Sequence, residues 1–138
     1  MEKNIDVSKE VLKVFLVLFL AETILNLLSF LIYPSIYDNI TNLSVEVFLS
    51  IIMGITIFSL RYIERENILG YYLSLIIALM ILYSAFTLNS NNIISIAVRN
   101  VASNYGPFPN PIILFWGVVI LFISIRKILK LKFLKLSN

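Results

Sequence analysis

The sequence predicts an all-α protein, an integral-membrane four-helix bundle with both termini cytoplasmic, built as a single transmembrane domain over residues 1–138. Three observations predict it. Four apolar runs, at about residues 14–33, 45–63, 68–88 and 111–129, approach the ~30 Å hydrocarbon thickness of a bilayer at ~1.5 Å per helical residue. The chain is 59% hydrophobic and only 14% charged, with a mean hydropathy of +0.94, which is too apolar to stay dispersed in water. The cations fall almost wholly on one set of connections, the pattern that orients membrane helices.

The first run, VFLVLFLAETILNLLSFLIY, holds fourteen Val, Leu, Ile or Phe among its twenty residues. Each is worth roughly −0.3 to −0.6 kcal/mol at the centre of a span, against about +2.5 to +3.5 for one acidic residue, so the apolar sum outweighs Glu22. Glu22, Asn26 and Ser29 fall at i, i+4 and i+7 and form a polar stripe, the candidate intramembrane polar site, with Tyr33 continuing it. Glu22 lies roughly 12 Å beyond Lys13, out of that residue's reach. A carboxyl at that depth is expected to be protonated, hydrated in a cavity or hydrogen-bonded to another helix. Ahead of the run, Asp6 or Ser8 is placed to cap a helix continuing into the span. The run is too long for a cleaved leader, and no small-x-small site follows it.

Residues 34–44 read as the first connection, without Lys or Arg. They hold two glycosylation-type triplets, at Asn39 and Asn42, which fit an external face but also arise by chance in an Asn-rich chain. In the second run Glu46 falls in the expected first turn, where a helix N-terminus favours negative charge. Ser50 and Gly54 continue its four-residue spacing as a narrow small-residue face for helix packing. Residues 61–67 form a charged hairpin ending on Asn67, a cap for the next helix.

Along the third run Gly70, Ser74 and Ala78 repeat at four-residue steps, a surface suited to close packing within the chain or against a partner. Residues 93–102 read as a short amphipathic helix lying on the external surface between helices 3 and 4. Three prolines in residues 104–111 preclude regular structure and stiffen the approach to the last helix. The last apolar stretch, 112–125, covers only about 21 Å. It is expected to continue through Leu129 while Arg126 and Lys127 snorkel and Trp116 anchors the external end. The tail puts five positive charges beside the membrane, suited to anionic headgroups.

Three cations in the N-terminal segment, two in the second connection and five in the tail stand against Arg99 alone on the opposite side. The positive-inside rule then places both termini in the cytoplasm, a multi-pass topology in the cell membrane. The +3 net charge does not point to nucleic acid, because the basic residues sit at the ends of apolar runs and not on a face with interleaved aromatics.

The chain has neither Cys nor His. That removes disulfides, thiol chemistry, histidine-ligated haem, the common zinc sites and a Ser-His-Asp triad made from this chain alone. An enzyme is not expected, and no catalytic, metal or cofactor residue is assigned. A quinone or lipid would need only an apolar cleft, but no residue singles one out.

The preferred reading is a non-catalytic accessory or structural subunit of a larger membrane complex, in which Glu22 and Asn26 make interhelical hydrogen bonds. The length, the span count and Ala21-Glu22 in the first span also resemble the small multidrug resistance family. That resemblance implies proton- or cation-coupled transport with Glu22 as the titrating group. The aromatic and glycine pattern expected in that family's later helices is not evident. The third reading is a self-associating structural or viral envelope protein. Membrane lipids are partners in all three.

Overall fold

The computed structural model describes residues 6–32, 39–86 and 111–136. Among them are four helices and no strand: α1 (Val7–Ile32), α2 (Asn39–Glu64), α3 (Ile68–Phe86) and α4 (Pro111–Leu136). The expected surface helix at 93–102 lies outside the described residues.

Three of the helix starts and the end of α2 have a local cause. Asp6, and not Ser8, caps α1: its Oδ1 accepts the Lys9 backbone N–H at 3.3 Å, and its carbonyl accepts those of Lys9 and Glu10. The connection after α1 is shorter than the sequence suggested. The polar stretch NITNLS, read as loop, already belongs to α2, because a helix held by tertiary packing tolerates weak helix formers at its start. The Asn39 and Asn42 triplets therefore stand in helix and not in a loop. Glu46 is likewise well inside α2, and the helix has no acidic residue in its first turn.

The α2–α3 corner is a Schellman turn. The Asn67 N–H donates to the Tyr62 carbonyl at 2.9 Å and the Glu66 N–H to that of Ile63 at 3.0 Å. Glu66 occupies the left-handed position at φ 55°, where glycine is usual. Asn67 then caps α3 as expected, its Oδ1 accepting the Leu69 N–H at 3.0 Å. Pro111 opens α4, a position where its missing N–H costs nothing.

Two helices are long and apolar enough to cross a membrane, at Val7–Leu28 and Leu43–Glu64. The apolar part of α3, Ile68–Ser84, is shorter. In α4 the helix runs 26 residues, but Arg126, Lys127 and Lys130 break its apolar stretch. Among the described residues, two of the four expected spans thus have the length and composition of a membrane-crossing helix.

Successive helices pack side by side: α1 on α2, α2 on α3, α3 on α4, with α4 also touching α1 less extensively. The buried positions step alternately by four and three. On α1 they are Leu12, Leu16, Phe19, Thr23 and Asn26; on α2, Val45, Leu49, Ile52, Thr56, Ser59 and Ile63. That spacing keeps one seam facing its neighbours, as in left-handed helix packing. Phe15 closes the α1–α4 contact, edge-on to Trp116 with ring centroids 5.8 Å apart. Trp116 is therefore a buried packing residue and not the interfacial anchor its sequence position suggested.

Candidate functional site

The candidate polar site on α1 divides between two environments. Asn26 is buried, and its Nδ2 donates to the Glu22 backbone carbonyl at 2.8 Å. Glu22 is half-buried at the seam's edge. Ser29 lies in α1, with its side chain outside the described atoms. Thr23, which the stripe did not include, is fully buried and donates to the Phe19 carbonyl at 2.8 Å. Its signal was available in sequence: it stands on the four-three register set by Leu12, Leu16 and Phe19.

The small residues separate as sharply. On α3, Gly70 faces α2 so closely that a Cβ there would lie 2.5 Å from the Ile63 backbone nitrogen. The Ser59 hydroxyl donates to the Gly70 carbonyl at 2.8 Å across the same crossing. Ser74 and Ala78 are fully buried. On α2, by contrast, Ser50 is exposed and donates back to the Glu46 carbonyl at 2.9 Å, while nothing stands within 4 Å of a Cβ built on Gly54. The Ser50–Gly54 face therefore packs against no helix among the described residues. Leu27, Glu46, Val47, Ser50 and Ile51 line an open groove of about 540 Å³ between α1 and α2.

Sequence reasoning missed the small residues of α4. A Cβ on Gly117 would meet the Ile81 side chain at 3.0 Å, and the Ser124 hydroxyl touches that of Ser74. Gly117 and Ser124 are one heptad apart, which is the spacing that could have revealed them.

One end of the molecule is ionic. Asp6 at the start of α1 pairs with Lys127 of α4, whose side chain is turned inward with only 9% exposed. Lys127 thus does not snorkel outward as expected; it is held by a carboxylate 121 positions away. The Lys127 hydrogen bond holds the Asp6 carboxyl below its ordinary 3.8, against partial desolvation, which acts the other way. Lys9 reaches Glu66 at 3.3 Å and the Glu64 carbonyl at 3.3 Å, and Lys13 bridges Glu64 at 3.0 Å and Glu10 at 3.3 Å. These contacts bring the start of α1, the α2–α3 corner and the last third of α4 together.

Every buried polar side chain among the described residues is hydrogen-bonded, the hydroxyls to helix carbonyls or to one another. Chemically, that arrangement fixes helices in register. No group of three or more His, Cys, Asp or Glu side chains that could hold a metal occurs among the described residues. No family model matches the sequence, and no curated protein or solved structure is significantly similar to it.

Proposed function

We propose that the chain is a small multi-pass membrane protein, a four-helix bundle with both termini cytoplasmic, serving as a non-catalytic subunit of a larger membrane complex. The observation that carries the membrane part is the distribution of polarity. Twenty-five large apolar side chains among the described residues are exposed, Val17, Leu25, Phe58, Leu79 and Phe122 among them, while the buried seam holds Thr, Ser and Asn. Full burial of one such side chain is worth about 1.5–3 kcal/mol, so a fraction of them outweighs one half-buried Glu22. In water that surface would be an aggregation site; in hydrocarbon it is the solvated face, and the internally bonded seam is the form polar groups take there.

The cationic connections and the ionic end favour placing α1's start, the α2–α3 corner and the tail in the cytoplasm. The subunit role is supported by the Ser50–Gly54 face, which meets no helix of the chain among the described residues.

Gentle-detergent purification from the native membrane tests the assignment. Constant co-purification with larger membrane proteins is the expected result, and recovery as free monomer alone would overturn the subunit role. A reporter fused after Asn138 is expected inside the cell, and an external signal would overturn the topology. A monodisperse protein in detergent-free buffer would overturn the membrane reading itself.

A further inference from the structure

At the ionic end the charges are sorted. All four described acids there, Asp6, Glu10, Glu64 and Glu66, are engaged by Lys127, Lys13 and Lys9. Arg61, Arg65, Arg126, Lys130 and Lys132 are exposed and make no ion pair among the described residues. Lys132 is the only one with an aromatic neighbour among those residues, its Nζ 5.8 Å from the centre of the Tyr72 ring. The net positive charge at this end is therefore carried outward, on α2, the corner and α4.

These cations stand where the apolar wall stops. Phe58, 52% exposed, lies one turn before Arg61, and Phe122, 66% exposed, lies one turn before Arg126. Leu129 and Phe133 are exposed between and beyond the α4 cations. A ligand matching this surface needs an apolar chain to lie along the wall and an anionic group at its edge. Charge complementarity and this layering fit one molecule in particular.

We infer that Arg61, Arg65, Arg126, Lys130 and Lys132 form a rim that binds the headgroup phosphates of anionic phospholipids. The inference rests on the membrane reading and adds to it a lipid class and the residues that select it. The α1 lysines take no part, because the corner's glutamates neutralise them. Guanidinium groups suit the task, since their fork bonds two phosphate oxygens at once.

The test uses the full chain purified in a mild non-ionic detergent. Native mass spectrometry is read with added phosphatidylglycerol, phosphatidylcholine or inorganic phosphate. Phosphatidylglycerol should be retained in preference to phosphatidylcholine, and inorganic phosphate should not compete it off. Two double variants, Arg61→Gln with Arg65→Gln and Lys130→Gln with Lys132→Gln, should each lower that preference by about fivefold per cation removed. One pair lies at the end of α2 and its corner and the other on α4, so circular dichroism can show that at least one is folded before it is scored. Equal retention of the two lipids, an unchanged preference in a folded variant, or full competition by phosphate would overturn the rim. So would loss of a protein partner in the variants with lipid retention unaltered, which would assign the cations to an acidic protein surface. Detergent dependence is read separately: a chain soluble without detergent overturns the membrane reading, whereas loss of lipid preference with detergent dependence intact overturns only the rim.

Discussion

Ser74 of α3 and Ser124 of α4 hold their hydroxyl oxygens 2.7 Å apart, fully buried, although 50 positions separate them in the chain. Each also lies within bonding distance of a carbonyl of its own helix, Tyr71 at 2.9 Å and Ile120 at 2.6 Å. A hydroxyl has one proton, so one serine donates across the interface and the other back to its helix. The contact joins the two helices that pack most extensively on one another among the described residues.

Alanine at either serine should therefore cost little, about 0.5–1 kcal/mol, because the survivor still has its own helix carbonyl. Ser74→Leu should cost about 1–3 kcal/mol, since the added volume has no room at the crossing. Thermal unfolding in detergent micelles, followed by circular dichroism, separates these outcomes. If Ser74→Leu melts like the parent, the α3–α4 packing described above is wrong.

Two glycines give a matched pair. Gly70→Ala drives a Cβ to 2.5 Å from the Ile63 nitrogen and 2.9 Å from the Ser59 carbonyl oxygen, both backbone atoms that cannot swing aside. A loss of about 1–3 kcal/mol or more is expected. Gly54→Ala meets open space and gains helix propensity, so it should be neutral or stabilising by up to about 1 kcal/mol. The same melting experiment serves, and equal effects at the two sites would refute the assignment of faces.

The Asp6–Lys127 pair gives a pH dependence with a definite sign. Asp6 titrates lower in the folded protein than when unfolded, so its contribution is complete above its ordinary 3.8. It is lost as the pH falls from there through the lower folded value. Asp6→Asn keeps a good helix cap but removes the charge, leaving inward-turned Lys127 without its carboxylate at every pH. Asp6→Ala should be worse by about 1 kcal/mol, having lost the cap as well. Melting temperatures of the three proteins between neutral pH and pH 3 decide it: the Asn variant should show a shallower acid decline than the parent.

Glu66 sits at φ 55° in the Schellman turn and pairs with Lys9 from an exposed position. Relief of the left-handed strain, about 1 kcal/mol or more, should exceed the loss of that surface pair, so Glu66→Gly is expected to be neutral or stabilising. Glu66→Val should be clearly destabilising, because a β-branched residue resists positive φ. A Val variant that melts at the parent's temperature would contradict the turn.

Glu22→Gln separates the subunit role from transport. Under the proposal, helix content and partner recovery should be unchanged by the substitution. Proton-coupled flux in vesicles that disappears in the variant would instead favour the transporter reading.

The sequence by itself determined that four helices would form among the described residues, with Asp6 or Ser8 to cap the first and Asn67 the third. Apolar runs report length directly, and Asp6 and Asn67 are side chains whose local chemistry is the same in any fold. It missed the start of α2 because Asn, Thr and Ser have weak propensity there, and packing decides the outcome. Only the tertiary structure decided which face of each helix turns inward. When a helix is apolar nearly all round, hydrophobicity cannot point to the core, so Trp116 took its meaning only from its neighbours. The open space beside Gly54 and the pairing of Lys127 with Asp6 likewise depend on how distant segments meet, and no local pattern encodes that.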